Sequence, residues 1–423
     1  MRTPLLLAAA GLLVLAGCTA TSPQTPSATP PTPTGTPASP EATQASPVTP
    51  LRLVLWMSPS LAPDATTAAG SLLAERLAQF QESHPGLTIQ IRLKAESGTA
   101  GLLETLIAAS AAAPAALADA ILLDPVGLDS AALKGLIVPL EGLLPAPSEP
   151  AWYAYAANAA RVDGAVYGLP VGADAQVLVY RTDVYPSPPL GWSDLLSGPS
   201  PILFPAGDPT ASFTLAQLLA VGARLYDSSG RPTLDRAELA DVLAFYASAR
   251  TAGVLPLSAR QYTNPHDTWT AFKEGRAFAA QAWLRVFLME GNPAIHAAVP
   301  LPTRDGVGIC LASSWSWAMV TRDPARQQAI AELLDWLTQP EFLGPWTRAA
   351  GLLPPTAAAL QQWPIGNESS LASRLVTTAI PSPSAETSGI FGPPLQQAIG
   401  AVLSGQRSPD EAALQAVQAI RNP

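Results

Sequence analysis

The sequence predicts an α/β fold built on a parallel sheet, and two observations support that prediction. Runs rich in large apolar and β-branched residues recur at 51–56, 87–93 and 119–124, and each has the character of a strand. Stretches with helical apolar spacing separate them. Strand, helix, strand, helix, strand is the order typical of βαβ units, whose strands lie parallel in one sheet.

Each of these elements follows from its local pattern. Leu73, Leu77 and Phe80 recur at i, i+4 and i+7, which predicts a helix at 72–80. The tripeptide His-Pro-Gly at 84–86 ends that helix, because Pro and Gly both interrupt helices. The next strand alternates apolar and polar residues, so one of its faces is expected to be buried. An Ala- and Leu-rich helix is predicted at 100–113.

Composition and charge limit the classes of function. Apolar residues make up 48% of the 423 residues and charged residues only 13%, so we expect a large packed core rather than general disorder. The formal charge is −9, and the sequence contains no run of Lys or Arg. We therefore expect neither nucleic acid nor an anionic membrane surface as a partner.

The N-terminus has the pattern of an export signal. Arg2 precedes a short apolar run that ends in Leu-Ala-Gly-Cys at 15–18, and this tetrapeptide resembles a bacterial lipobox. The run is shorter than the ~20 residues a membrane-spanning helix needs. We therefore expect a signal peptide at 1–17 and a lipid, palmitate included, on Cys18. The protein would be extracytoplasmic and lipid-anchored, whereas the other interpretation is a buried helix with a chance cysteine.

The segment 18–50 is predicted to be a disordered linker that begins with the lipidated cysteine. After Cys18 it consists almost entirely of Pro, Thr, Ser and Ala, with Glu41 as its only charge, so it has nothing to bury. Proline at this density favours an extended spacer. The other cysteine, Cys310, lies in an apolar strand-like run, which favours a buried structural thiol.

A series of short motifs resembles one protein family. The motifs occur in the family's order and span residues 51–421, although Arg181 replaces the family's usual Asn. They resemble the extracellular solute-binding proteins of family 1, of the maltose- and oligosaccharide-binding type. In chain order they read LVLW at 53–56, HPG at 84–86, DAILLD at 119–124, GLIVPL at 135–140, DGAVYGLP at 163–170, VLVYRTD at 177–183, GWSDLL at 191–196, FKEGRAFA at 272–279, GLLP at 351–354 and SPDEA at 408–412.

The resemblance implies a two-lobed fold of the periplasmic-binding-protein type II, with a C-terminal helical region. Lobe one is expected to comprise 51–171 plus 297–318, and lobe two 172–296 plus 319–423. The chain is expected to cross between the lobes just after Pro170, near 289–297 and near 317–322. The ligand would lie between the lobes, which would close on it by a hinge motion.

The same resemblance implies a function without catalysis. A monomer would capture a small solute, most simply a mono- or oligosaccharide, and deliver it to the permease subunits of an ABC importer. No cofactor or metal is expected: the sequence has no G-x-S-x-G, G-x-x-x-x-G-K or H-E-x-x-H motif. A surface sensor, an adhesion module, or a binder of polyols, sugar phosphates or polyamines remains as an alternative.

Aromatic side chains are the first candidates for a sugar site, because a sugar presents flat C–H faces that stack on rings. Trp283 follows a predicted strand that should point at the cleft, and Trp315 is the second candidate. Trp317 shares a strand face with Trp315 but is expected to pack, and Trp56 is expected in the core. Packing is also expected for Trp192, Trp336, Trp346 and Trp363.

Polar candidates lie at strand ends and at one helix start. Ser58 and Asp124 follow the first and third strands, and Asp174 lies just past the first crossing. The resemblance implies that the two carboxylates accept sugar hydroxyls, whereas without it they could be a glycosidase pair or simple turn and helix-capping residues. Ser212 and Phe213 open a helix of lobe two where the family often reaches its ligand, although capping would also explain Ser212. Weaker candidates are Tyr167 and Arg285.

Overall fold

A computed structural model describes residues 50–148 and 151–422. The predicted signal peptide, Cys18 and nearly all of the linker lie outside the described residues. Within the described part the chain forms strands β1 Leu51–Met57, β2 Leu87–Leu93, β3 Ala120–Leu123, β4 Arg161–Val162, β5 Ala165–Val166, β6 Gly168–Arg181, β7 Ile202–Leu203, β8 Ala279–Trp283, β9 His296–Pro300, β10 Cys310–Met319 and β11 Ala379–Pro381.

Fifteen helices accompany these strands in the described part of the chain. They are α1 Ala68–Ser83, α2 Leu102–Ala112, α3 Pro125–Leu133, α4 Ala154–Ala159, α5 Trp192–Ser197, α6 Ser212–Ala220, α7 Arg236–Thr251, α8 Pro265–Lys273, α9 Leu284–Glu290, α10 Pro324–Thr338, α11 Pro340–Ala350, α12 Ala357–Gln361, α13 Asn367–Thr378, α14 Ala385–Leu403 and α15 Pro409–Arg421. None of the described helices is both long and apolar enough to cross a membrane.

The predicted α/β fold is confirmed, and its strands form a mixed sheet in the order β2-β1-β3-β10-β6-β8-β7. Strand β1 pairs in parallel with β2 and with β3, as the βαβ pattern predicts. Strands β6 and β10 are antiparallel neighbours at the centre. Strand β9 also pairs with β6, and β11 pairs with β10.

Helix α1 shows how a local signal sets an element's length. The helix begins at Ala68, four residues before the predicted start, because the Thr67 side chain accepts the N–H of Gly70 and caps it. Its first turn is rich in Ala and has no apolar periodicity to reveal it. It ends at Ser83, where Pro85 and Gly86 prevent continuation.

Alternate residues of β1 face opposite sides of the sheet and two different cores. Leu53, Leu55 and Met57 pack with one set of apolar side chains, which includes α1, α10 and α11. Val54 and Trp56 pack on the other face against α2 and α3. This period of two is the ordinary geometry of a strand, and it makes the first lobe a sheet covered by helices on both sides.

The second lobe has a separate core that is rich in aromatic residues. Rings of α5, α6, α7 and α8 pack there against the second half of β6 and against β8. Trp269 is fully buried in this core. The C-terminal helices α13, α14 and α15 belong to the same core and form the predicted helical region.

The chain passes between the two cores at several places, including three in or beside β6 and β10. Val171 packs in the first lobe and Ala173 in the second, so β6 crosses at Gly172. Strand β10 crosses between Ala312 and Trp317. A third crossing separates Leu352 from Leu353, both fully buried but in different cores.

The lobe boundaries therefore differ from the predicted ones after residue 296. The crossing predicted near 289–297 is wrong: β9 pairs with β6 in the second lobe, so residues 297–312 lie there. Residues 319–352 lie in the first lobe, because α10 and α11 pack on α1 and β1. Apolar periodicity predicted these strands and helices but does not specify which sheet each one joins.

Cys310 opens β10 and is fully buried. Burial raises the pKa of its thiol well above the usual range, and a thiol that stays protonated and inaccessible is a poor nucleophile. The predicted structural role of this cysteine is confirmed.

A Cβ at Gly172 would fit tightly, because it would lie 3.1 Å from Cβ of Leu352 and 3.3 Å from the carbonyl oxygen of Leu353. We expect Gly172→Ala to lower the free energy of unfolding by about 1–2 kcal/mol through overpacking at the crossing. Denaturant titration measures the change.

Gly389 provides the matched control for this substitution. It lies exposed in α14, and a Cβ there meets nothing within 4 Å. Gly389→Ala should raise stability by about 0.5–1 kcal/mol, since alanine is the better helix former. Equal effects of the two substitutions would contradict a tightly packed crossing at Gly172.

Candidate functional site

The carboxyl ends of β1, β2 and β3 meet at one edge of the first lobe, because these strands are parallel. Ser58 directly follows β1 and Asp124 directly follows β3. The N–H of Lys94, just after β2, donates to the carbonyl of Met57 (3.0 Å) and holds the β2 end beside the β1 end. Ligands of α/β proteins bind at such edges, so the predicted polar residues stand in the expected place.

Ser58 belongs to a chain of polar contacts at this edge. It is fully buried, and its Oγ lies 2.8 Å from Oγ of Ser60. The Ser60 hydroxyl donates in turn to the carboxylate of Glu96, in the segment after β2. Sequence reasoning missed Ser60 and Glu96, because neither lies in a motif or a periodic pattern.

Asp124 caps α3 and is held in an acidic environment. Its Oδ1 accepts the N–H of Gly127 at 2.8 Å, which confirms the capping interpretation. Within the described part of the chain its other oxygen has no hydrogen-bond partner. Burial raises the pKa of Asp124, and the nearby charges of Glu96 and Glu104 raise it further, while the Gly127 N–H opposes them.

Asp174 lies at the crossing itself, in β6 opposite Ser313 of β10. Its Oδ1 accepts the N–H of Ala175 at 2.8 Å and the N–H of Arg285 at 3.0 Å. Burial raises the pKa of Asp174 to about 6, against the lowering effect of these two N–H donors and of the Arg285 charge. This carboxyl group therefore titrates near neutral pH.

Arg285 connects the two lobes. Its backbone is bound to Asp174, and its Nη2 donates to the carbonyl oxygen of Ser60 at 2.8 Å. Gly351, whose φ of 71° suits glycine, ends α11 against the same residue: a Cβ there would lie 3.2 Å from Cα of Arg285. A continuous polar path thus runs from Asp174 through Arg285 and Ser60 to Glu96.

The two candidate tryptophans lie beside this path and are both partly exposed. Trp283 ends β8 opposite Gln176 and stands two residues before Arg285. Trp315 pairs with Gly172 in the crossing strands. Of the tryptophans expected to pack, Trp317 is 3% exposed and Trp56 is 2% exposed, which confirms their packing role.

The start of α6 does not match the prediction for Phe213. This side chain is 4% exposed and stacks on Phe204 with ring centroids 4.6 Å apart, so it belongs to the core and the predicted ligand contact is wrong. The Ser212 hydroxyl donates to the carboxylate of Asp208 at 2.7 Å, and its N–H donates to the same group. Asp208, rather than Ser212, therefore caps this helix.

The acidic residues at this edge indicate which kind of ligand the site suits. The charges of Glu96 and Glu104 act on Asp124, so carboxylates dominate this edge of the first lobe, whereas Asp174 lies at the crossing. In the described part of the chain, no three His, Cys, Asp or Glu residues are placed to hold a metal ion. Carboxylate oxygens that accept, together with partly exposed indole rings, suit a ligand rich in hydroxyl groups.

Comparison with known proteins gives both a family and a fold. A family model described as bacterial extracellular solute-binding protein matches residues 75–370. No curated protein sequence matches the chain.

Several solved structures have the same fold. The cyclic α-maltosyl-1,6-maltose binding protein from Arthrobacter globiformis aligns with a TM-score of 0.71 at 18% identity, over 88% of this chain and 98% of its own. A cyclo/maltodextrin-binding protein complexed with maltotetraose aligns with a TM-score of 0.70 at 20% identity, over 89% of this chain and 98% of its own. The sugar-binding protein MalE from the phytopathogen Xanthomonas citri aligns with a TM-score of 0.68 at 19% identity, over 88% of this chain and 96% of its own. The two-lobed fold is thereby confirmed.

The raised pKa of Asp174 makes a prediction about stability and pH. A carboxyl group that keeps its proton to about pH 6 when folded, but loses it near its ordinary value of 3.8 when unfolded, stabilises the fold below pH 4. That contribution is lost as pH rises from about 4 to 6. We expect the wild type to lose roughly 2–3 kcal/mol relative to Asp174→Asn over this window.

Urea unfolding at several pH values between 4 and 7 measures this difference. The asparagine oxygen can accept the same two N–H groups, so the variant tests the proton and not the hydrogen bonds. Parallel stability curves for the two proteins would show that Asp174 titrates normally.

Proposed function

The chain belongs to the bacterial extracellular solute-binding proteins, and from this premise we propose that it captures a neutral mono- or oligosaccharide between its lobes. It then delivers the sugar to the permease subunits of an ABC importer. The observation that carries the proposal is the polar path from Asp174 through Arg285 to Ser60, which joins the ligand edges of the two lobes. A solute bound there contacts both lobes at once.

The residues at this edge support a sugar as the solute. Trp283 and Trp315 are partly exposed and offer flat apolar surfaces for the C–H faces of a sugar ring. Asp124 has a carboxylate oxygen without a protein partner, and carboxylates accept O–H hydrogen bonds. Charge-assisted hydrogen bonds of this kind are the stronger class.

The structural neighbours point to the same ligand class. Those described above are named for maltodextrins, a cyclic maltosyl-maltose or sugars in general. At 18–20% identity they support the fold, and their ligands serve here as a guide to which sugars to try first.

The mechanism is capture by closure without chemistry on the solute. Three chain crossings, at Gly172, in β10 and at 352–353, provide the hinge. A ligand that contacts both lobes binds the closed form more tightly than the open form. This difference in affinity is what shifts the protein towards the closed form. The Arg285 to Ser60 hydrogen bond is one contact that closure makes and opening breaks.

One observation favours a second candidate, a cationic solute such as a polyamine. The sequence offered two carboxylates at the site, but the structure adds Glu96 and Glu104, whose charges act on Asp124. Four carboxylates would favour a cation electrostatically. The same experiment separates the two candidates, and a sensor or adhesion role is the third outcome.

Thermal unfolding of the purified protein with a ligand panel tests the proposal. We expect maltodextrins or a related neutral sugar to raise the melting temperature, because a ligand at a hundred times its dissociation constant stabilises the fold by about 2.7 kcal/mol. Trp283→Ala should abolish most of this shift. Trp336→Ala is the matched control, because Trp336 stacks under Arg76 on the first lobe, and its sugar-induced shift should be retained.

The panel also includes spermidine, glycerol 3-phosphate and polyols. A shift with spermidine alone would replace the sugar by the cationic candidate. A broad absence of shifts would favour the sensor or adhesion role. Equal loss of the sugar shift in both tryptophan variants would contradict a ligand contact at Trp283.

We also propose that Cys18 carries the lipid that anchors the protein outside the cytoplasm. Support comes from the lipobox-like sequence at 15–18 and from a family whose members are extracellular. Two or more acyl chains are needed for stable anchoring.

Labelling with radioactive palmitate in a bacterial host tests the anchor. Cys18→Ala should lose the label and release the protein from the membrane fraction. Cys310→Ala is the control: this thiol is buried, so labelling should be unchanged. Label retained in Cys18→Ala would locate the acyl group elsewhere.

A further inference from the structure

A cavity of about 530 Å³ lies on the first lobe, at the edge where β1 and β3 begin. This edge is opposite the one that carries Ser58 and Asp124. Four arginines from distant parts of the chain line the cavity, with a single carboxylate among its lining residues. They are Arg52, Arg92, Arg322 and Arg326, and the carboxylate is Asp119.

Asp119 is already satisfied by the protein. Its side chain is 7% exposed and forms an ion pair with Arg326 at 2.9 Å. Its Oδ2 also accepts the N–H of Val54 at 2.7 Å. Asp323, just before α10, is likewise occupied, because it accepts the N–H of Arg326 and caps that helix.

The other three arginines keep their charge unneutralised. Within the described residues, Arg52, Arg92 and Arg322 have no carboxylate oxygen within 4.0 Å. Neutral acceptors position two of them. Arg92 donates to the carbonyl of Ala116 at 3.2 Å, and Arg322 donates to the carbonyl of Gly135 at 2.8 Å.

We propose that this cavity binds a phosphate-bearing ligand. Guanidinium groups match the geometry of phosphate oxygens and bind them with charge-assisted, frequently bidentate hydrogen bonds. A carboxylate ligand would satisfy one such group, whereas a phosphate has more oxygens and more charge to engage several. Three uncompensated positive charges around one cavity are unusual in a chain whose formal charge is −9.

The fold, and not the sequence, assembles this site. The sequence has no run of Lys or Arg, and the expectation that no anionic surface is a partner rested on that absence. Pairing of β1 with β3, and of β3 with β10, brings the start of β1 near the chain that follows β10. Arg92 lies opposite Trp56 in the register of β1 and β2, and it lines the same cavity. The site lies wholly in the first lobe, so it does not depend on the proposed sugar capture.

Phosphate can reach this cavity as a soluble anion or as the headgroup of an anionic lipid, and two arms of one experiment separate these sources. The full chain carries Cys18→Ala in both arms, so that no acyl group contributes. One arm measures inorganic pyrophosphate binding by calorimetry at low salt. The other measures sedimentation with phosphatidylglycerol vesicles against phosphatidylcholine vesicles.

The test variant is Arg52→Gln with Arg322→Gln, which leaves the Arg326 to Asp119 ion pair intact. The control is Arg224→Gln with Arg421→Gln. These two arginines are exposed on the second lobe, and replacing them removes the same amount of charge as the test variant. We expect the test variant to bind at least about tenfold more weakly, the order expected for loss of one charge-assisted hydrogen bond. The control should bind within about twofold of the parent, since distant exposed charges are screened.

Binding of pyrophosphate identifies a soluble phosphate as the source, and binding of phosphatidylglycerol vesicles alone identifies a headgroup. Either result supports the site only if the test variant weakens it and the control does not. Equal weakening in both variants would reduce the effect to net charge and overturn the proposal. The proposal would also be overturned if neither pyrophosphate nor the phosphatidylglycerol vesicles bind. Melting temperatures without ligand show whether each variant is folded.

Discussion

The antiparallel pair of β6 and β10 is the constraint on which the rest of this structure depends. Both strands contribute side chains to the cores of both lobes, and their register shifts between Trp315 and Ser316. Asp174 and Trp315 lie in this pair, and Asp124 and Trp283 are positioned by β3 and β8, which pair with it. Gly172, pressed against Leu352, is the point where two chain crossings touch. Motion of one lobe relative to the other must therefore pass through backbone that is closely packed, which favours a hinge with few freely rotating residues.

The polar path from Asp174 to Ser60 both stabilises a buried carboxyl group and connects the two lobes. Burial raises the pKa of Asp174 to about 6, yet one of its two N–H donors is Arg285 itself, the residue that carries the interlobe contact. The hydrogen bond from the Arg285 N–H to Asp174 therefore stabilises the ionised carboxylate and also holds α9 in place. Charge at Asp174 strengthens the hydrogen bond that fixes Arg285, and Arg285 in turn reaches Ser60. Asp174, Arg285 and Ser60 thus form one hydrogen-bonded connection between the two lobes.

Much of the fold could be predicted from local pattern, whereas the site could be predicted only in part. The alternation at 87–93 and the spacing of Leu73, Leu77 and Phe80 correctly predicted a strand and a helix, because burial on one face leaves a period in the sequence. Strand ends were also predictable, so Ser58 and Asp124 were named correctly as edge residues. Phe213 was misplaced because a motif position does not reveal which way a side chain points. Glu96, Ser60 and the later lobe boundaries were missed because they depend on which elements become neighbours, and a single sequence has no periodic signal for that.

The two charged regions of the first lobe act independently of each other. Carboxylates gather beyond the end of β1, and Arg52, Arg322 and Arg326 lie near its start. The six residue steps from Arg52 to Ser58 span about 20 Å of extended strand. The Debye length at physiological salt is about 8 Å, so each region feels little of the other's field. An anion is repelled at the carboxylate edge and attracted at the arginine edge, whereas a neutral sugar has no net charge to be repelled by the carboxylates and can donate hydrogen bonds to them. The two proposed sites would therefore not compete, because a solute between the lobes and a phosphate group in the arginine-lined cavity would occupy opposite edges of the first lobe.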